Sequence, residues 1–484
     1  MFTKRGMSDG RRAQIQRHRE TRRARLTLVM RTRGWPVIFF LSALVALVLA
    51  LSCGRKRTAE HVVPTTAAAT LPEAARTWTP LPARPLSPRL ERVRARAMQA
   101  AAATRELDWQ TAPGMTELTG WEYGTRTKET ADALGGDELR RLSRLAAAGG
   151  MLPEGTDLAT LAASFAAASA GATYSPLDKQ VLLLADSHGK ETTNDALLTH
   201  EFVHALQDQH FNLLQLLLAR PYDFDREEAL FAVIEGDAMD VQRRFELGEQ
   251  WTRRSLDDVA RMEDARFDEY RKEIGALFPP MLTETFIFRY RDGVRFVEAI
   301  RRKGGERAVD ELFRRPPASS EQILHPEKYF AGEQPRAAQV NEQSFAAAGW
   351  HTTTATPLGE IGVRGLLLKA LTAKEAASAA AGWGGDRAYL FERAGRAPLF
   401  VWQTVWDKPE DAAEFCRAYN TLQRARATTA DSAFVDGQAH TAWREGETLI
   451  LVRLSGDEVL IVRGAQADTP DALRLATTPN DSRQ

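Results

Sequence analysis

The pentapeptide H-E-F-V-H, from His200 to His204, constrains the fold of this chain more than any other segment. On a helix, residues four apart lie on one face, so the two histidines can offer their imidazoles to one metal ion. Glu201 lies about 100° round the helix and could reach a water molecule activated by that metal, for which it would be the general base. The segment therefore predicts a helix that carries a zinc site.

The same spacing also arises on ordinary amphipathic helices whose histidines are simply hydrogen-bonded. Two features favour the metal interpretation. Helical periodicity continues from 194 to 218, and residues 172–184 before it are typical of a β-hairpin, with Pro176 and Asp178 in the turn. In zinc peptidases an edge strand lines the active-site cleft and pairs with extended substrate.

His210 is one candidate for a third metal ligand. It follows His200 by ten residues, as in the metzincin pattern H-E-x-x-H-x-x-G-x-x-H. That pattern needs a glycine where Gln207 stands, because the glycine ends the helix and turns the chain back to the metal. A helix that continues through this segment carries His210 about 240° away from His204, off the metal face.

Glu235 is the other candidate, on a second predicted helix, Asp225–Leu247, which Asp225 and Glu228 would cap. An acidic residue among apolar neighbours is costly unless it is paired or bound to a metal. Gly236 beside it predicts close packing, since a glycine in mid-helix costs about 1 kcal/mol relative to alanine. Two His and one Glu are a catalytic zinc set, so we expect Glu235 to be the ligand, with Glu228 as a lesser alternative.

Three motifs together resemble gluzincin-type zinc metallopeptidases, and in particular a poorly characterised group of exported bacterial HExxH proteins. They are HEFVHALQDQHF from His200, EGDA from Glu235 and SSEQILHPEKY from Ser319. The resemblance implies a Zn²⁺ site with His200, His204 and Glu235 as ligands and Glu201 as the catalytic base. The resemblance supplies no known substrate for that group, and we expect a peptide or protein substrate for a peptidase of this kind.

The supporting residues of such a site are less clear from the sequence. Asp208, Asp237 and Asp240 are each candidates for orienting a zinc-bound imidazole. His325, at the end of a short helix predicted from Ser319, is a candidate for stabilising the oxyanion, as a second histidine does in thermolysin-like enzymes. A packing or substrate-wall role is the alternative for His325, and Tyr290 is a lesser candidate for the oxyanion.

The N-terminus predicts export and attachment to a membrane. Val37–Leu51 is an uncharged apolar run that follows a basic segment and precedes Cys53. This is the pattern of a bacterial lipoprotein signal, in which Cys53 is lipidated, or of a single N-terminal membrane anchor. The chain has 64 basic and 64 acidic residues, but residues 1–57 hold 14 basic and two acidic ones. The remainder therefore carries a net charge of −12, which argues against a nucleic-acid partner.

We expect an α+β protein: a mostly helical zincin-like core with an edge β-hairpin, then a smaller C-terminal α+β domain. The predicted segments are 1–53 for the signal or anchor, 54–90 for an Ala/Pro/Thr-rich tether, 91–335 for the zincin-like domain and 336–484 for the C-terminal domain. In the last, the predicted strands are Ala388–Glu392, Leu399–Trp406, Thr448–Leu454 and Glu458–Val462, with a helix at Asp411–Ala425 and a turn at Gly382–Gly385.

Three functions fit these patterns. The first is a zinc metallopeptidase that acts outside the cytoplasm, with Glu201 as the general base. The second is an exported, membrane-tethered binding or envelope-assembly protein whose metal site is structural or vacant. The third is a metzincin-like protease that uses His210 as its third ligand. No pattern predicts the oligomeric state.

Overall fold

The computed structural model describes residues 72–158, 160–161, 171–185, 195–218, 222–275, 278–426, 429–435 and 438–478. The predicted export segment 1–53 and the part of the predicted tether at 54–71 lie outside the described residues. Among the helices that are described, none combines the length and the apolar character needed to cross a membrane.

Helices make up most of the described chain before residue 335. Their bounds are α1 (Glu73–Arg76), α2 (Pro88–Arg105), α3 (Gly120–Ala148), α4 (Asp195–Phe211), α5 (Leu213–Leu218), α6 (Phe224–Leu247), α7 (Glu249–Thr252), α8 (Leu256–Ile274), α9 (Pro280–Ile287), α10 (Gly293–Arg314), α11 (Ser320–Leu324) and α12 (Pro326–Ala331). A π-helical turn, Phe288–Asp292, joins α9 to α10. The two predicted helices around the HExxH segment are confirmed as α4 and α6.

The starts and ends of these two helices differ in detail from the prediction. Asn212 adopts a left-handed conformation, φ 53°, and separates α4 from α5. The N-cap of α6 is Asp223, whose side chain accepts a hydrogen bond from the Arg226 backbone N at 3.0 Å. The predicted cap with Asp225 is therefore wrong, because Asp225 instead accepts from the backbone N of Ser320 at 3.0 Å.

A small sheet packs beside α4. Its strands are β1 (Gly114–Leu118), β2 (Ala172–Ser175) and β3 (Gln180–Leu184), in the order β1-β3-β2. β2 and β3 form the predicted antiparallel hairpin, and β1 runs parallel to β3. Within the described residues β2 pairs with β3 alone, so it is the edge strand that the sequence predicts.

α4 is buried on all sides rather than on one face. Every residue from Ala196 to Asp208 is buried. Its apolar side chains share one hydrophobic cluster with α2, with the β2–β3 hairpin and with Ala238 and Val241 of α6. A helix surrounded in this way directs its polar side chains into the protein, which is how His200, Glu201 and His204 come to be buried.

α6 and α10 approach each other at two glycines. A Cβ added at Gly236 would lie 2.3 Å from the carbonyl carbon and oxygen of Gly293, and one added at Gly293 would lie 2.3 Å from the oxygen of Ala232. Contacts of this length are far inside van der Waals distance, so both positions require glycine. The close packing predicted from Gly236 is confirmed, and it sets the position of the neighbouring Glu235.

The C-terminal part contains one antiparallel sheet of seven strands in the order β4-β5-β6-β10-β9-β8-β7. The strands are β4 (His351–Thr356), β5 (Trp383–Glu392), β6 (Leu399–Trp406), β7 (Thr429–Val435), β8 (Gln438–Glu445), β9 (Thr448–Ser455) and β10 (Glu458–Ala465). The helices are α13 (Glu342–Ala347), α14 (Gly359–Leu367), α15 (Ala373–Ala380), α16 (Pro409–Arg426) and α17 (Thr469–Thr477). The α+β class is confirmed.

The glycines at 382–385 do not form the predicted turn as a whole. Gly384 and Gly385 lie within β5, where the pairing with β6 shifts between Trp383 and Gly385. A Cβ at Gly385 would lie 2.1 Å from the backbone oxygen of Arg336. The absence of a side chain at Gly385 therefore allows the backbone at Arg336 to lie against β5.

The helical part and the large sheet share hydrophobic contacts. The largest cluster of buried apolar residues includes Leu230 and Phe231 of α6 together with Trp402 of β6 and Ile461 of β10. α6 is therefore packed into the same core as the C-terminal sheet. The domain boundary at 335/336 stays a prediction.

We expect Gly236→Ala to lower the free energy of unfolding by about 2–3 kcal/mol, because the new methyl group would force α6 away from α10. The matched control is Gly124→Ala in α3, where a Cβ would meet no atom within 4 Å; that change should be neutral or stabilising by up to about 1 kcal/mol. Chemical denaturation followed by circular dichroism compares the variants. Equal destabilisation by both would contradict the close approach at Gly236.

Candidate metal centre

Three side chains from α4 and α6 converge in the interior. The Nε2 atoms of His200 and His204 lie 3.1 Å apart. The Oε2 atom of Glu235 lies 3.3 Å from the first and 3.4 Å from the second. The exposed fractions of the three residues are 2%, 5% and 1%. This buried triad could hold a metal ion.

The size of the triangle fits a small tetrahedral cation. Ligand atoms that each lie about 2.0–2.1 Å from one zinc ion, at tetrahedral angles, are about 3.3 Å from one another. The three separations in the triad, 3.1 to 3.4 Å, bracket this value. Two imidazoles and one carboxylate supply three ligands, which is the set that leaves a fourth position for water or substrate.

Glu201 lies beside the triad without being part of it. Its Oε2 atom accepts a hydrogen bond of 2.8 Å from the backbone N–H of Tyr174, on the edge strand β2. Its Oε1 atom is buried and has no hydrogen-bond partner among the described residues. A buried carboxylate oxygen without a donor is costly, so its position is explained if a further group, such as a water molecule, donates to it.

The pKa values show how charge is distributed around this centre. Burial raises the pKa of Glu201 to about 8. Burial acts to raise the pKa of Glu235 as well, but the charges of His204 and His200 outweigh it and lower that pKa. Burial acts to lower the pKa of His204, but Glu235 outweighs it and raises the pKa to about 9, whereas burial keeps the pKa of His200 low. The carboxylate of Glu235 therefore favours positive charge at the centre of the triad.

The groups next to the two imidazoles are a glutamine and a tyrosine. The Nδ1 atom of His204 lies 2.9 Å from Oε1 of Gln207. The ring of Tyr290 stacks on His200, with centroids 6.3 Å apart and an interplanar angle of 17°. Tyr290 is fully buried and lies in the π-helical turn, a type of irregularity that is frequent at functional sites.

The three aspartates considered as imidazole partners have other contacts. Asp208 accepts hydrogen bonds from the hydroxyl of Tyr174 and from Lys179, both at 2.7 Å. Asp240 accepts from the indole of Trp251 at 2.8 Å. Asp237 accepts a hydrogen bond of 2.9 Å from the side-chain amide of Gln207, so it is connected to His204 only through Gln207.

The alternative third ligands lie in other surroundings. Glu228 forms a buried two-point ion pair with Arg289, with N···O distances of 2.6 and 2.5 Å. α4 continues through His210, as the sequence predicts, and Nε2 of His210 lies 2.8 Å from the backbone oxygen of Asp108. Neither Glu228 nor His210 joins the triad.

His325 pairs with a different carboxylate. Its Nε2 atom lies 3.0 Å from Oε2 of Glu360, a fully buried residue of α14, which also bonds Arg364. The hydrogen bond that the Glu360 carboxylate accepts from His325 raises the pKa of His325. His325 is the C-cap of α11, which Ser319 caps at the other end as predicted. None of its contacts in the described structure reaches the triad, and its catalytic role stays a prediction.

A second acidic cluster already contains a cation from the chain itself. Glu321, Glu333 and Asp407 approach one another closely enough to hold a metal ion. The ammonium group of Lys328 bonds all three, at 2.6, 2.8 and 2.7 Å. This cluster is therefore satisfied as an ion-pair network that joins α11 and α12 to Asp407, the residue directly after β6.

Sequence reasoning missed three residues next to the centre. Gln207 stands where the metzincin pattern needs a glycine, and its i+3 spacing from His204 is a usable signal for their contact. The backbone N–H of Tyr174 gives no sequence signal. Tyr123 of α3 is the third: burial, and then the nearby charge of Glu201, raise the pKa of Tyr123.

Comparison with known proteins identifies only the C-terminal region. A family model described as a domain of unknown function, DUF8575, matches residues 351–474, from β4 to α17. The triad lies outside this range, so the match gives no information about its chemistry. No curated protein and no solved structure matches the chain.

We expect His200→Ala, His204→Ala and Glu235→Ala to abolish stoichiometric zinc binding, because each removes one corner of the triangle. His210→Ala is the matched control on the same helix, and it should retain the zinc content of the wild type. The measurement is zinc per chain by mass spectrometry after purification without chelators. Loss of zinc in His210→Ala with retention in Glu235→Ala would assign the third ligand to His210 instead.

Proposed function

We propose that this protein is a zinc-dependent metallopeptidase with His200, His204 and Glu235 as metal ligands and Glu201 as general base. The observation that carries the proposal is the position of Glu201. It lies beside a triangle of the correct size for zinc, with one carboxylate oxygen held by Tyr174 and the other without a hydrogen-bond partner among the described residues. A purely structural metal site has no use for such a carboxylate.

The chemistry follows from what each side chain can do. A zinc ion in a two-His, one-carboxylate site acts as a Lewis acid and lowers the pKa of water to about 7. Glu201 has its Oε2 atom fixed by the backbone of Tyr174, so its Oε1 atom is the one available to accept a proton and to pass it to a leaving amine. Tyr290, against His200, keeps that imidazole in place.

A peptide is the substrate class that the neighbouring strand favours. β2 is an edge strand within the described residues, and its Tyr174 bonds the proposed base directly. An extended peptide can pair with a strand edge through main-chain hydrogen bonds. A peptide paired along β2 would then approach Glu201, which already accepts the N–H of Tyr174, so the pairing would use the other main-chain groups of the strand edge.

The setting outside the cytoplasm is part of the same proposal. Its support is the apolar run Val37–Leu51 followed by Cys53, which would attach the chain to a membrane by lipidation or as an anchor. The acidic balance of the remaining chain supports a protein partner rather than a nucleic acid.

Glu201→Gln tests the catalytic role separately from metal binding. We expect this variant to keep about one zinc per chain and to lose hydrolysis by at least about 100-fold, because the amide cannot accept the proton. The assay is the full chain in detergent with a mixture of fluorescence-quenched peptides. The matched control is Glu117→Gln, an exposed glutamate of β1, which should hydrolyse at the wild-type rate.

Two results would overturn the proposal. Hydrolysis in Glu201→Gln equal to that of the wild type would exclude Glu201 as the base. A wild-type chain that binds zinc but cleaves none of the peptides would favour the structural metal site of a binding protein instead.

A further inference from the structure

The hydrogen bonds of Gln207 determine which nitrogen of His204 carries its proton. The amide nitrogen of Gln207 lies 3.0 Å from the backbone oxygen of Ile234 and 2.9 Å from Oδ2 of Asp237. A carbonyl and a carboxylate only accept hydrogen bonds, so both hydrogens of the amide are used there. The amide oxygen must then face His204 and accept from Nδ1 at 2.9 Å. The Nε2 atom is left for the metal.

A buried arginine holds the aspartate that orients this amide. The Nε atom of Arg105, on α2, lies 2.8 Å from Oδ1 of Asp237. Its other nitrogens pair with Asp310 at 2.6 Å and with Glu306 at 3.3 Å, both on α10. Arg105 is fully buried, and so is Gln207. Charges buried to this degree are held tightly by their partners, since an uncompensated one costs several kcal/mol.

These contacts form one continuous hydrogen-bond network from the triad to α2. We propose that Gln207 is a positioning residue that fixes the tautomer and the orientation of His204, and that Asp237 and Arg105 fix Gln207 in turn. The metal affinity of the triad then depends on side chains that never touch the metal. This inference rests on the metal binding in the proposed function, but not on peptide hydrolysis.

This hydrogen-bond network predicts effects on metal binding that an ordinary packing contact would not have. An aspartate next to His204 would bring a negative charge into direct contact with the imidazole. Here a neutral amide makes that contact, and the carboxylate lies one residue further away. An ion-pair network that served only to join α2, α6 and α10 would not need Gln207, because Arg105 already connects Asp237 to Asp310 and Glu306.

The first test measures zinc affinity, by competition with a chromophoric chelator, for the full chain and for Gln207→Met. The methionine keeps the size of the side chain and removes its three hydrogen bonds. Loss of an outer partner of a metal-bound histidine typically weakens affinity about 10- to 100-fold, and we expect a loss in that range. Thermal unfolding of the metal-free proteins reports folding separately.

The matched control is Gln209→Met, two residues along the same helix. Gln209 also uses both ends of its amide, to the backbone of Gln110 and of Thr111. Gln209 is only partly buried, and neither of these hydrogen bonds reaches the triad, so the zinc affinity of Gln209→Met should equal that of the wild type. An equal loss in Gln207→Met and Gln209→Met would show a general effect on α4 and would overturn the inference.

A double-mutant cycle tests the contact between Asp237 and Gln207. Asp237→Asn alone should weaken zinc binding, because it removes the charge that Arg105 holds and frees the amide of Gln207 to rotate. In the Gln207→Met background the same change should have little further effect, since residues in one network are not additive. If the two substitutions instead lowered the zinc affinity by independent, additive amounts, the proposal that Asp237 acts through Gln207 would be overturned.

The outcomes separate this inference from the function it rests on. A wild-type chain that binds no zinc overturns both. A wild-type chain that binds zinc while Gln207→Met binds it equally well overturns only the positioning role. A wild-type chain that binds zinc but cleaves no peptide overturns only the proposed hydrolysis and leaves the inference unaffected, because zinc affinity is its readout.

Discussion

Compensation of buried negative charge on α6 is the constraint on which the rest of this structure depends. Every residue of the helix from Phe224 to Arg243 is buried except Arg226, which is partly buried, and the helix carries several carboxylates into the interior. Each needs positive charge or hydrogen-bond donors nearby, because an isolated buried charge is very costly. Three of these partners come from three different parts of the fold: Arg289 of the π-helical turn for Glu228, Arg105 of α2 for Asp237, and the imidazoles of α4 for Glu235. The packing around α6 is thus directed by its charges as well as by its apolar residues.

The C-terminal region braces the start of the same helix. The backbone N of Phe224 donates to the hydroxyl of Thr356 on β4 at 2.9 Å. Asp225 accepts from the backbone N of Ser320, whose hydroxyl accepts from the backbone N of Ile361 on α14. The region that matches a domain of unknown function therefore helps to hold the helix that carries Glu235 in place. The candidate metal centre and the C-terminal sheet are linked through one helix, even though they lie in different halves of the chain.

Much of the candidate centre could be predicted because its signals are local. The i, i+4 spacing of His200 and His204 and the apolar surroundings of Glu235 are visible within single helices. The hairpin at 172–184 is equally predictable from its apolar Val/Leu run and its turn residues. The hydrogen-bond partner of His204 cannot be predicted in this way. Several polar residues lie near His204 in the sequence or on the facing helix: Gln207, Asp208, Asp237 and Asp240. Only the rotation of α4 against α6 selects Gln207 for the contact and puts Asp237 behind it.

Local patterns predicted many of the helices, the hairpin and several strands, because backbone preference and side-chain period act over a few residues. They also determined which residue types could meet at a metal. The tertiary structure alone decided how α4 is buried on all sides, how Gly236 and Gly293 bring Glu235 to its position, and in which order the seven strands pair. It also decided that His325 contacts Glu360 rather than the triad. These features depend on contacts between residues far apart in the chain, and such contacts follow from the packing of whole elements, which no local pattern encodes.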